Sequence, residues 1–113
     1  MKIITAFIKP HKLMDVTGAL HGIEGLSGGS VSDVRGFGRG RAKEAPDKVR
    51  YESLDYLPRL RIEVACPDEL VEQVVTTIET MSHTGLRGDG KIYVSPLDHA
   101  VRISTGERGK AAI

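Results

Sequence analysis

Between Arg59 and Cys66 the side chains alternate: Leu60, Ile62, Val64 and Cys66 fall on one side of an extended chain, and Arg59, Arg61 and Glu63 fall on the other. A period of two dictates a β-strand with one face toward a core and the other polar. Pro67-Asp68 ends this strand at once and opens a helix. Asp68, Glu69 and Glu72 make its first turn acidic, which suits the positive end of a helix dipole. Leu70, Val71, Val74, Val75, Ile78 and Met81 then recur at helical spacing. The same strand-then-helix unit stands at the N-terminus. There Ile3 to Ile8 form a short apolar run ended by Pro10, and Leu13, Val16, Ala19, Leu20 and Ile23 follow the helical period. After the break at Gly25 to Gly29, Ser30 to Arg35 reads as a second strand. Lys91 to Val94 and His99 to Ile103 read as short closing strands separated by Ser95-Pro96. The order β-α-β-β-α-β with an extra C-terminal strand predicts an α+β fold. It is the ferredoxin-like double βαβ arrangement with an antiparallel sheet, in one domain spanning 1–113.

Two helices cover only one face of such a sheet. The first strand is nevertheless apolar on both, with Ile3 and Phe7 on one side and Ile4, Ala6 and Ile8 on the other. This pattern predicts that copies of the chain cover one another. Composition narrows the function. A net charge of +1 gives no general attraction to nucleic acid or anionic membrane. The single cysteine, Cys66, excludes an internal disulfide and any multi-cysteine metal site, and reads as a core filler. His11, His21, His83 and His99 lack the spacing of a metal site. No apolar run has a leader's or a membrane span's length, so a cytoplasmic protein, not itself membrane-embedded, is expected. Nothing supplies a nucleophile with its base and orienting group, so no enzyme is expected.

About twenty residues, Gly36 to Asp55, separate the second and third strands, where hairpin loops usually take two to five. The run opens with Gly36, Gly38 and Gly40 and is otherwise rich in charge. It reads as a mobile partner-binding arm over about 37–55. Arg35-Gly36-Phe37-Gly38 matches the first half of an RNA-recognition signature. The match then fails at Arg39, Gly40 and Ala42, where stacking aromatics belong, so no nucleic-acid partner is expected.

Thr84-Gly85-Leu86-Arg87-Gly88-Asp89-Gly90-Lys91 follows the second helix. Three glycines in six residues let backbone N–H groups converge on an anion, with Arg87 and Lys91 as countercharge. Gly85 to Lys91 also fits the G-x-x-x-x-G-K part of a Walker A loop. Ile92 stands where the magnesium-holding hydroxyl belongs, and the order helix–loop–strand reverses that of a P-loop. Phosphate binding is compatible with this loop and nucleotide hydrolysis does not follow from it. A plain helix cap and turn fits the spacing equally well.

The block Thr84-Gly85-x-x-Gly88-Asp89-Gly90-Lys91-Ile92-Tyr93 with Val94-Ser95-Pro96, followed by Arg102-Ile103-x-Thr105-Gly106-Glu107, resembles the PII nitrogen-regulatory signalling family. Ile8-Lys9-Pro10, Lys12-Leu13, Gly36-Phe37-Gly38-Arg39 and Asp55-Tyr56-Leu57-Pro58 extend the likeness over essentially the whole chain. The resemblance implies a homotrimer that binds ATP or ADP in clefts between subunits. It also implies a T-loop that presses on a transporter, enzyme or regulator, a membrane transporter among them. By position, Gly88, Asp89, Gly90 and Lys91 match the phosphate-binding loop. Gly38 and Arg39 match residues approaching the phosphates across the cleft. Ser30 and Ala65 match positions at the adenine, and Arg102 matches an arginine reaching phosphate from the neighbouring subunit. Arg41, Lys43, Lys48, Arg50 and Tyr51 are the expected partner contacts on the arm. The family's second C-terminal arginine is Ser104 here. Loss of such a charged contact costs about 1.5–3 kcal/mol and would favour ADP or AMP over ATP. Gly40 stands for the glutamine that joins Mg²⁺ to 2-oxoglutarate, Arg59 for the lysine that pairs with 2-oxoglutarate, and Glu52 for the modified tyrosine. These departures argue against 2-oxoglutarate sensing and uridylylation. They leave three alternatives to nitrogen regulation by nucleotide: a regulator of metal efflux, a regulator of carbon uptake, or a nucleotide-independent trimeric scaffold.

Overall fold

The computed structural model describes residues 1–38 and 56–113. Four strands, β1 (Lys2–Ile8), β2 (Ser30–Gly36), β3 (Leu57–Cys66) and β4 (Lys91–Pro96), form one antiparallel sheet in the order β2-β3-β1-β4. Helices α1 (Leu13–His21) and α2 (Val71–Ser82) are each entered through a single 3₁₀ turn, Pro10–Lys12 and Asp68–Leu70. Pro10 suits the first of these, because its fixed φ is already helical and the N–H it lacks would have had no partner.

The period-two pattern sets the register. Ile4 faces Val64 and Val94, Ala6 faces Ile62 and Ile92, and Ile8 faces Leu60. Ile4, Ala6, Ile62, Val64 and Cys66 are buried, and they form one core with Val16 and Leu20 of α1 and Val74 and Ile78 of α2. Burial pushes the Cys66 thiol up from its ordinary value, consistent with an inert core residue. On the opposite face Ile3 and Phe7 are half-buried and Tyr93 is exposed. Phe7 meets the edge of Tyr93 with ring centroids 6.2 Å apart, and Arg61 pairs with Glu63 at 2.5 Å. Among the described residues no helix covers this second face.

The expected fifth strand at His99–Ile103 does not form. Val101 makes a single bridge with Arg108, and the Arg102 N–H donates to the Glu107 carbonyl at 2.9 Å. Gly106 and Gly109, both at positive φ, turn the chain back on itself. The segment therefore spends its backbone groups within its own turn and does not extend the sheet. β2 and β3 stay paired out to Gly36 and Leu57, and just beyond them Phe37 and Tyr56 meet edge to face at 5.8 Å.

Ile4 is fully buried at the centre of the core. Ile4→Ala is expected to destabilise the fold by about 2–5 kcal/mol, read as a lower urea midpoint at unchanged slope.

Candidate functional site

The loop from Thr84 to Lys91 leaves α2, and its shape is set by one carboxylate. Asp89 Oδ2 accepts the Thr84 backbone N–H at 2.8 Å and the Gly85 N–H at 3.4 Å. Asp89 Oδ1 accepts the Thr84 hydroxyl and pairs with the Lys9 ammonium at 3.1 Å. Thr84 Oγ1 accepts in turn from the Leu86 N–H and from Lys9, each at 3.1 Å. Hydrogen bonds from Thr84, its hydroxyl first and its backbone second, hold the Asp89 carboxyl well below the usual carboxylate range. Lys9 adds to that effect. A carboxyl depressed in this way contributes its stabilisation above the unfolded value and loses it only as pH falls through the folded one, so the fastening persists in mild acid.

Glycine is required where the loop meets the sheet. Gly90 has φ +108°, and a Cβ there would lie 1.7 Å from the Phe7 carbonyl oxygen. Gly88 has φ +78°, and a Cβ there would lie 2.9 Å from an Arg59 guanidinium nitrogen. Arg59 also donates to the Pro58 carbonyl at 2.9 Å, so its side chain links the start of β3 to the loop. Lys91 opens β4 opposite Phe7 and is exposed. The result is a glycine-turned backbone with a cation at its exit, a form suited to an anion.

The other expected site residues are distributed over the chain. Ser30 pairs with Glu63, and Ala65 pairs with Ile3. Since Lys91 pairs with Phe7, Ala65 and Lys91 are four β1 residues apart, roughly 13 Å along the sheet. Arg102 is exposed in the C-terminal turn, and Gly38 is exposed beyond β2. One chain thus brings together Gly88, Asp89, Gly90 and Lys91, and does not bring Ser30 or Ala65 to them. Arg39, Arg41, Lys43, Lys48, Arg50 and Tyr51 lie outside the described residues. Sequence reasoning gave Lys9 and Thr84 no role at the site. The only local signal was a lysine immediately after an apolar strand, and its partner is 80 positions away.

Comparison with known proteins adds the lineage. The family description "Nitrogen regulatory protein P-II" matches residues 1–107. A nitrogen regulatory protein P-II of Azospirillum brasilense is 44% identical over 113 residues, covering all of both chains. Nitrogen regulatory protein GlnK of Escherichia coli K12 is 40% identical, again over the whole of both chains. The crystal structure of Arabidopsis thaliana PII bound to citrate superposes with a TM-score of 0.78 at 33% identity, covering 99% of this chain and 91% of that one.

Two outcomes are expected. Gly90→Ala forces both a strained φ and a backbone clash, and should destabilise the fold by about 2–4 kcal/mol in thermal or urea melts. In a carbon-detected NMR titration the Asp89 carboxyl should remain ionised below the ordinary aspartate range. Thr84→Val and Lys9→Met should each raise its midpoint.

Proposed function

The chain belongs to the P-II family of nitrogen regulatory proteins and is a signalling protein of nitrogen regulation; from that membership we propose that its Thr84–Lys91 loop binds the phosphates of an adenine nucleotide. The observation that carries this reading is the form of the loop. Positive-φ glycines at Gly85, Gly88 and Gly90 turn the backbone around one point, and Lys91 stands at its exit. Backbone N–H groups and a lysine are together a standard means of holding polyphosphate. The citrate in the Arabidopsis relative is a polyanion too, which supports an anionic ligand of this general kind.

In this reading Gly88, Gly90 and Lys91 hold phosphate, and Asp89 belongs to the same loop. Gly38 and Arg39 approach from the base of the arm, and Ser30 and Ala65 serve the base of the nucleotide. Arg102 reaches phosphate from a second copy. The copies form a trimer, and the arm carrying Arg41, Lys43, Lys48, Arg50 and Tyr51 presents the nucleotide state to a protein partner. Among the described residues no helix is long and apolar enough to cross a membrane, so a membrane transporter would be met from outside the bilayer. The role is regulation and not catalysis.

Calorimetry with ATP, ADP, AMP and 2-oxoglutarate tests the ligand. ATP or ADP should bind, Lys91→Ala should abolish binding, and Arg102→Ala should weaken it about tenfold or more. Absence of heat at millimolar nucleotide would overturn the reading. Light scattering should return the mass of three chains.

A further inference from the structure

We propose that Lys9 and Asp89 act as a neutral positioning pair, shaping the Thr84–Lys91 loop for its anion without either side chain contacting it. The proposal rests on the nucleotide reading above, and takes Asp89, which the family resemblance places in the phosphate-binding loop, out of the direct contacts.

The first ground is occupancy. The Lys9 side chain is only 13% exposed, and its ammonium spends hydrogen bonds on Thr84 Oγ1 and Asp89 Oδ1, each at 3.1 Å. Both Asp89 oxygens are engaged inside the loop by Thr84, Gly85 and Lys9, and His83 Nδ1 stands 3.5 Å from Oδ2. Neither group presents unspent charge outward, whereas Lys91 is exposed at the loop's exit.

The second ground is placement. Lys9 follows β1 directly, two residues beyond the Phe7 carbonyl against which Gly90 packs. Asp89 directly precedes Gly90. The pair and the glycine contact therefore fix the end of the loop to the end of β1, while Thr84 closes the turn from the other side. A loop held in this way meets its ligand with little further ordering to do.

The third ground is electrostatic. A carboxylate beside bound polyphosphate is unfavourable unless a cation offsets it, and Lys9 is that cation. It follows that removing Lys9 alone does two kinds of damage: it loosens the loop and leaves Asp89 uncompensated beneath the anion. Removing both charges does only the first.

The test is ATP affinity of Lys9→Met, Asp89→Asn and the double variant, measured beside wild type, with Lys9→Arg as the conservative control. Lys9→Met should weaken binding about tenfold. The double variant should bind more tightly than Lys9→Met alone, and Lys9→Arg should recover most of the loss. A double variant whose loss is the product of the two single losses would show independent contacts to ligand and overturn the pairing. Single variants with wild-type affinity would overturn it as well. Amide exchange on the nucleotide-free protein provides a readout that needs no ligand. In Lys9→Met and Asp89→Asn the Thr84, Gly85 and Leu86 N–H groups should exchange about tenfold faster, with β1 and β3 amides unchanged. Unchanged exchange at those three positions sinks the proposal. If wild type binds no ATP, the nucleotide reading fails and the exchange result alone decides the positioning role.

Discussion

Strand β1 is hydrogen-bonded along both edges, to β3 and to β4, and the rest of the molecule is arranged by that double pairing. Because Phe7 lies opposite both Arg61 and Lys91, the end of β1, the early part of β3 and the start of β4 meet at one place. Lys9 leaves β1 there, Arg59 reaches Gly88 there, and Gly90 packs on the Phe7 carbonyl there. The loop at this point is not an appendage of α2. It is fastened to one of the two central strands of the sheet, whose amides are among the hardest to open in a fold of this kind. A loop on such a foundation keeps its shape through the Asp89 hydrogen bonds and the packing of Gly90 on the Phe7 carbonyl.

Much of this was legible in the sequence, for a definite reason. Alternation over Arg59–Cys66 and helical spacing over Leu70–Met81 each encode which face must be buried, and burial of Leu60, Ile62, Val64, Cys66, Val74 and Ile78 follows the pattern. The strand expected at His99–Ile103 failed because alternation reports which side chains share a face, not which chain they pair with. Gly106 and Gly109 sent that segment's hydrogen bonds back to itself. At the loop, glycine spacing marked a turn but could not separate a cap from a grip. The pair that shapes the turn, Lys9 and Asp89, meets through the sheet register and has no local signature. Gly90 illustrates the same limit. Its need to be glycine comes from a carbonyl more than 80 positions earlier in the chain.

The single chain is incomplete in a way that bears on function. Its bare sheet face places Ile3, Phe7 and Tyr93 around the Arg61–Glu63 pair, with Ala65 beside Ile3 across the strands. Apolar groups in this setting gain roughly 25 cal/mol for each Å² removed from water, and a neighbouring copy is the economical cover in the proposed trimer.

The same incompleteness appears in the ligand site. The Thr84–Lys91 loop and Ala65 stand roughly 13 Å apart along the sheet, and Ser30 lies on the far edge strand β2. In the proposed trimer, a nucleotide drawing on Arg102 of a second copy would bind the assembly more tightly than the lone chain. By linkage it must also stabilise the assembly by the same free energy. Arg59 ties the loop to the sheet at this point, with one nitrogen donating to the Pro58 carbonyl at the root of β3 and the other over Gly88.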